Sequence, residues 1–200
     1  MIGIIDYGMG NVGSIHNMLK RIGSESIICS KSDEVKNCRK IILPGVGSFD
    51  YAINKLRSTG LFECIKDKVK SGTPFLGICL GMQILGTKSE EGKLRGLNLI
   101  PGDIIKFPSS HELRVPHMGW NKVDFSENDL SKNLIHKNKF YFVHRYFFVP
   151  RKPSHSAGNT TYGLKFSSFI NKDNIYGVQF HPEKSHKYGM LLLENFKNLV

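Results

Sequence analysis

The stretch PFLGICLGMQILG, residues 74–86, runs from a bare apolar strand pattern straight into an apolar helical one, with a single cysteine at the junction. Glycines stand two positions before Cys79 and two after it, at Gly77 and Gly81. A cysteine that only fills a core needs no such flanks. A residue lifted out of a sheet at a tight strand-to-helix turn does, because the turn crowds its neighbours. In a parallel α/β sheet, ligands bind beyond the carboxyl ends of the strands, and Cys79 falls at such an end. The pattern is Gly-x-Ser-x-Gly with cysteine in the serine place, and a helix start there favours a thiolate over a thiol. A buried structural cysteine with chance glycines is the competing reading of this stretch alone.

Outward from Cys79, the order of elements decides the fold class. Upstream, Ile2–Ile5, ESIICS and KIILPG read as short buried strands. Between the first two, Val12, Ile15, Met18, Leu19 and Ile22 recur at helical spacing, with Gly23 as a stop. Helical patterns also follow Gly47-Ser48-Phe49 and cover LFECIKDKVKSG. Strands alternating with helices predict an α/β fold, a mostly parallel central sheet flanked by helices, and bare apolar runs fit strands buried on both faces. From about Leu97 the chain is strand-rich and partly antiparallel: GLNLIPGDIIKF, VPHMGWNKVDF, KFYFVHRYFFVP, YGLKFSSFI and NIYGVQFHPE are separated by turns. HKYGMLLLENFKNLV closes with helical periodicity. No repeat or linker interrupts the pattern, so residues 1–200 read as one domain.

Composition narrows the function classes. With 40% hydrophobic residues, the 200-residue chain can bury a sizeable core without disulfides. There is no apolar run of about 18 residues and no secretory leader pattern at MIGIIDYGMGN, so a cytoplasmic, non-membrane protein is expected. Cys29, Cys38, Cys64 and Cys79 form no Cys-x-x-Cys pair, which argues against disulfides and a zinc site. Burial or half-burial explains Cys29, Cys38 and Cys64 better than chemistry does. The net charge of +11 raises a nucleic-acid partner, but the basic clusters HKNKF and RKPSHS are short and interrupted. No nucleic-acid partner is expected; a moderate positive field can instead draw in small anions or an acidic protein surface.

A thiol nucleophile needs a base. His181 follows the strand pattern NIYGVQF, and in an extended segment Glu183 would point the same way and orient its ring. Pro182 stiffens the pair. A surface His-Pro-Glu turn is the alternative for the tripeptide alone; the two motifs together, each just past an apolar strand, are far more specific. Acyl transfer also needs oxyanion donors, and Gly45 and Gly47 in LPGVGSF allow a backbone N–H to turn toward a substrate.

GICLGMQ, QFHPE and PGVGSF resemble the class I glutamine amidotransferases with their Cys-His-Glu triad. Within that class, DYGMGN, PGVGSF, VPHMGWN, YFVH and GVQFHPEKS together resemble the glutaminase subunits of imidazole glycerol phosphate synthases, over residue 2 to about residue 195. The resemblance implies that Cys79 attacks the side-chain amide of L-glutamine, His181 moves the proton and Glu183 orients His181. It implies a glutamyl thioester, an oxyanion held near Gly47 and by the Leu80 N–H, and glutamine contacts from Gln83, Gly45 and the His144–Arg145 segment. No cofactor or metal is called for. Ammonia would pass through a (β/α)8-barrel cyclase subunit, in a heterodimer, to make imidazole glycerol phosphate and AICAR, a purine precursor, in histidine biosynthesis. The resemblance also implies an oxyanion hole that is completed only in the complex. The implied partner interface is Pro116, His117, Met118 and Trp120, with Tyr141 and Asn11 beside it; a core position for Trp120 is the alternative.

One departure stands out. Arg145 in YFVHRYFF occupies a position that is a small hydroxyl residue in the family, which puts the glutamine contacts of that segment in doubt. It keeps open a paralogous glutaminase that feeds a cyclase-like partner in biosynthesis of a nitrogen-containing surface sugar. A non-catalytic binding module is a third reading, disfavoured by the intact Cys79, His181 and Glu183.

Overall fold

The apolar runs become strands, buried as expected except at ESIICS, which is the edge strand of the sheet and leaves Ile28 exposed because no strand among the described residues covers its outer side. The structure, a computed structural model, describes residues 1–108, 113–134 and 139–199. Strands β1 (Ile2–Ile5), β2 (Ser26–Cys29), β3 (Lys40–Leu43) and β4 (Phe75–Ile78) pair in parallel. Between them run α1 (Val12–Arg21), α2 (Ser32–Lys36), α3 (Phe49–Ser58) and α4 (Leu61–Lys70). After β4, Cys79 alone separates the strand from α5 (Leu80–Ile84). The rest is strand-rich: β5 (Lys88–Ser89), β6 (Gly102–Lys106), β7 (His117–Lys122), β8 (Asp124–Phe125), β9 (Lys139–His144), β10 (Tyr146–Pro150), β11 (Ser156–Tyr162), β12 (Leu164–Lys172) and β13 (Ile175–Val178), then α6 (His186–Asn198).

The main sheet has the order β2-β1-β3-β4-β13-β12-β10-β6-β5, with β11 joined to β12 and β8. It is parallel from β2 to β13, and antiparallel from β13 through β12 and β10 to β6. β7 and β9 form a separate antiparallel ribbon. The run KFYFVHRYFFVP, expected as one stretch, therefore splits at Arg145: β9 belongs to the ribbon and β10 to the main sheet. Three elements were not anticipated. α2 and β5 are too short for periodicity to show. β11, SAGNTTY, has almost no bulky apolar residue and is a strand because β12 and β8 flank it. The basic cluster HKNKF lies partly outside the described residues.

All four residues of β1, β4 and β13 are buried, as strands covered on both faces must be. Alternate side chains feed two cores. Ile5, Ile41, Leu43 and Phe75 join Phe49, Leu56 and Ile65 of α3 and α4; Ile4, Ile42, Leu76 and Ile78 join Ile15, Leu19, Leu192 and Phe196 of α1 and α6. Cys29 and Cys38 are buried in the first core with sulfurs 3.7 Å apart, and Cys64 is half-buried beside it; all four cysteines are free. No helix among the described residues is long and apolar enough to cross a membrane.

The two glycines around Cys79 have separate steric reasons. A methyl group on Gly77 would lie 2.6 Å from the Gly81 carbonyl oxygen and 2.8 Å from the Met82 nitrogen, because α5 folds back over the strand it leaves. A methyl group on Gly81 would overlap the carbonyl of Leu43 on the neighbouring strand β3. Backbone atoms cannot step aside as a side chain can. Gly13, inside α1, has open space around it. Gly81→Ala should therefore cost roughly 3 kcal/mol, the upper range for overpacking, or abolish folding. Gly13→Ala should instead gain about 0.5 kcal/mol. Urea denaturation of both variants checks the contrast; a Gly81→Ala chain as stable as the parent would refute this account of the turn.

Candidate active site

The loops that leave β1, β3, β4 and β13 all emerge at the carboxyl edge of the parallel strands, where the chain steps from β1 out to β2 and then returns past β1 to β3, so that the strand order reverses. They carry Asp6–Asn11, Pro44–Ser48, Cys79 and Gln179–Glu183 respectively. Cys79 has φ 54° and ψ −108°, in a region that costs a residue with a Cβ about 1–3 kcal/mol. The crowded turn holds it there. Its sulfur is nearly buried, facing the Val143 carbonyl at 3.9 Å and the Gln179 side-chain nitrogen at 3.6 Å. α5 is only five residues long, so the expected helix dipole at Cys79 is short and contributes little beyond its individual N–H groups.

His181 arrives from the end of β13. Its backbone N–H donates to the Tyr141 carbonyl at 2.9 Å, and the Ser185 hydroxyl donates to the His181 carbonyl at 2.6 Å, so β9 and the start of α6 both hold it. The expectation that Glu183 lies in an extended segment is not met. Pro182 opens a 3-10 turn, Pro182–Lys184, and that turn brings the Glu183 carboxylate to His181 Nδ1 at 2.8 Å. Both side chains are almost fully buried, at 1% and 3% exposure. Because Nδ1–H donates to the carboxylate, Nε2 is left as the basic nitrogen, and it is buried without an aligned hydrogen-bond partner among the described residues. Burial is the largest single influence and disfavours the charged ring. The Cys79 sulfur and then Glu183 together outweigh it, and the His181 pKa is pushed up to about 10. Cys79 and His181 are thus within electrostatic reach without a well-aligned bond joining them.

A cleft of about 360 Å³ opens over Cys79, lined by Gly47, Leu80, Gln83, Glu91, Pro116, Val143, His144 and Arg145 among others. A larger hollow of about 650 Å³, lined by Pro74, Asp173, Asn174 and Leu191, lies at the opposite ends of the strands and includes none of these groups. Arg145 is exposed at the mouth of the first cleft. Glu91, which sequence reasoning missed, enters from the loop after β5; one carboxylate oxygen accepts the Phe49 N–H at 2.8 Å, at the start of α3. Nothing local in SEEG distinguishes it, since only the fold brings that loop to the cleft. Gln83 lines the cleft but commits its amide nitrogen inward, to the Tyr146 carbonyl and to Gln179 Oε1, each at 3.0 Å. His144 is buried at the cleft floor and donates Nδ1–H to the Tyr146 carbonyl at 2.8 Å.

The backbone N–H expected as an oxyanion donor is engaged within the chain. The Leu80 N–H donates to the Gly45 carbonyl at 3.3 Å. Gly45 is glycine for a close approach: a methyl group there would lie 2.5 Å from the Tyr7 hydroxyl and 3.0 Å from Leu80 Cβ. Gly47 needs its own freedom, at φ 106°. Tyr7, also missed from sequence, is buried, and its hydroxyl has no hydrogen-bond partner among the described residues; burial, and then the Cys79 charge, hold its pKa above the usual range.

The expected docking residues divide. Met118 and Trp120 are exposed, at 61% and 47%, so Trp120 is not core. Trp120 stacks on His186 with planes 6° apart, and Tyr141 packs edge-on beside it. Pro116 is half-buried beside the cleft, and Asn11 is exposed at the start of α1. His117 does not reach the surface: it is 2% exposed and lies between the rings of Phe142 and Tyr162, because alternate residues of β7 face inward.

The glutamine amidotransferase class-I family model matches residues 3–199. The chain is 52% identical over 198 residues to imidazole glycerol phosphate synthase subunit HisH 2 of Methanococcus maripaludis, covering 98% of each chain. It is 43% identical to the HisH 2 subunit of Pseudomonas aeruginosa, covering 100% of each. Among solved structures, PurLQS from Thermotoga maritima superposes with a TM-score of 0.76 at 18% identity, over 98% of this chain and 97% of that one, a likeness of fold.

The two buried imidazoles, His117 and His144, face each other, Nδ1 to Nε2, at 2.9 Å. Burial drives His144 down to about 3 and His117 down to about 4, so both are neutral in the folded chain. Unfolded, each takes a proton below about 6.5. The stability they carry is therefore present above that value and lost as pH falls toward the folded values. His181 has the opposite sign: its contribution is complete below about 6.5 and is lost only as pH rises through about 10. The urea midpoint should fall between about pH 6.5 and 5, above the carboxylate range, and a flat profile there would count against the neutral pair.

Proposed function

The chain belongs to the class I glutamine amidotransferase family, whose members are enzymes, and from that premise we propose that it is the glutaminase subunit of an imidazole glycerol phosphate synthase in histidine biosynthesis. Residues 1–200 act as one amidotransferase domain. The relatives named HisH support the pathway. The observation that carries the chemistry is the buried sequence Glu183 Oε1 to His181 Nδ1, with the free Nε2 facing the region of the Cys79 sulfur at the cleft floor.

In this mechanism the Cys79 proton passes to His181 Nε2, and the sulfur attacks the side-chain amide carbon of glutamine. Glu183 steadies the resulting imidazolium. The tetrahedral intermediate collapses as His181 returns the proton to the leaving nitrogen, releasing ammonia and leaving a glutamyl thioester. Water, deprotonated by His181, then hydrolyses the thioester to glutamate and restores the thiol. Glu91 and Arg145 carry opposite charges on the wall of one cleft, which suits the ammonium and carboxylate of an amino acid.

The oxyanion needs two N–H groups, and one of them, on Leu80, is now bonded to the Gly45 carbonyl. Rotating the Gly45–Val46 peptide withdraws that carbonyl and presents an N–H on the same side, beside Gly47. A partner that binds over this loop and the exposed Met118 and Trp120 would drive the rotation, and a cyclase receiving the ammonia is the reading the HisH relatives favour. A second reading keeps the chemistry and exchanges the acceptor for a cyclase-like partner in surface-sugar biosynthesis. Arg145 in the cleft favours it.

Cys79→Ala should abolish glutamine hydrolysis while leaving folding and partner binding nearly intact. A variant that still forms glutamate at the parental rate would remove Cys79 as nucleophile. The isolated chain should hydrolyse glutamine slowly, and a histidine-pathway cyclase with its substrate should accelerate it, roughly 100-fold or more if one oxyanion donor is restored. Mixing the chain with glutamine and each candidate cyclase separates the two acceptors, and full activity of the chain alone would rule out the peptide rotation.

A further inference from the structure

One more group touches the reacting sulfur. Gln179, two residues before His181, is fully buried, and its Nε2 lies 3.6 Å from Cys79 Sγ. Which end of that amide faces the sulfur is decided from a distance. The Tyr146 backbone carbonyl can only accept, so Gln83 must present its nitrogen to it. The same nitrogen donates to Gln179 Oε1 at 3.0 Å, which leaves the Gln179 NH2 turned toward Cys79. The carbonyl that starts this order is itself held by His144 Nδ1–H, whose ring accepts from His117, whose other nitrogen faces the Asn121 amide at 3.3 Å. Every link has one consistent donor direction.

We propose that Gln179 donates a hydrogen bond from Nε2 to the Cys79 sulfur and stabilises it as the attacking thiolate, a catalytic role additional to Cys79, His181 and Glu183. The proposal rests on Cys79 being the nucleophile. The sulfur has two polar neighbours of opposite preference besides His181. The Val143 carbonyl suits an S–H donor, and the Gln179 N–H suits a sulfur anion, because hydrogen bonds strengthen when one partner is charged. The bond is therefore strongest for the free thiolate and weakest for the thioester. It favours formation of the nucleophile before attack, and departure of the sulfur when water opens the thioester. No proton leaves Gln179 in either step. The titratable and charged groups around the sulfur are His181 beyond β13 and Tyr7 beyond β1, each of which feels its charge, and Glu91, His144, Arg145 and Tyr146, which line the same cleft.

The test is alkylation of Cys79 by iodoacetamide, followed by mass spectrometry of the Cys79 peptide across pH, in the parent, Gln179→Met and Gln179→Glu chains. Met keeps the length and removes the donor; Glu keeps the shape and puts an acceptor there. Both should slow alkylation at neutral pH by roughly 10-fold or more and move the rate profile to higher pH. A packing role alone would leave the profile in place, and an unmoved profile in folded variants overturns the proposal. If the variants do not fold, side-chain amide NMR of the parent decides: blocking Cys79 should shift the Gln179 NH2 resonances, and no shift overturns it. Alkylation requires no glutamine. A chain with the Gln179-dependent profile and no glutaminase activity with any cyclase would sink the glutaminase reading while keeping the hydrogen bond.

Discussion

The close approach of α5 to β4 and β3 is the constraint on which the site depends. A helix that turns back immediately after a buried strand leaves room for no side chain at 77 or 81, and it holds the residue between them at φ 54°. That conformation is unfavourable for cysteine by itself. It persists because the surrounding strands are packed on both faces and cannot relax around it. The strain lifts the sulfur to the carboxyl edge of the sheet, where three other loops converge.

Burial then sets the electrostatics. Water would level the differences among the imidazoles, whereas in this interior the partners decide them. Burial holds His144 and His117 neutral, whereas at His181 the Cys79 sulfur and Glu183 outweigh burial and raise the affinity for a proton. One residue type thus has a raised proton affinity in one place and, in another, a neutral state with fixed hydrogen-bond directions. The neutral pair orients the carbonyl that orients Gln83 and Gln179. The ribbon β7–β9 that carries the exposed Met118 and Trp120 therefore joins the sulfur's surroundings through a continuous set of polar contacts.

The loop after β3 also bears on the cleft. The Gly45 carbonyl occupies the Leu80 N–H, and the loop around Gly47 is exposed. A loop of small residues beside a rigid elbow is well suited to moving one peptide without disturbing the sheet, since glycine tolerates both arrangements.

Much of this was legible in the chain itself. Short apolar runs marked the parallel strands, most of them buried on both faces although the edge strand β2 is not, and the glycines around Cys79 marked the turn, because steric exclusion at short range leaves a local trace in composition. His181 and Glu183 were legible for the same reason, being two residues apart, although the 3-10 turn that joins them was not. What sequence could not decide was everything set by long-range contact. Glu91 lies in no motif, and although Tyr7 and Gln179 lie within DYGMGN and QFHPE, nothing local shows what they touch; loops separated by many residues end at one edge of the sheet and bring all three beside Cys79. His117 sat in a motif that suggested a surface, and strand alternation turned it inward while leaving Met118 and Trp120 outside. Short-range sterics are written into neighbouring residues, whereas burial, hydrogen-bond direction and charge state depend on what the folded chain brings alongside, and only the tertiary structure determines that.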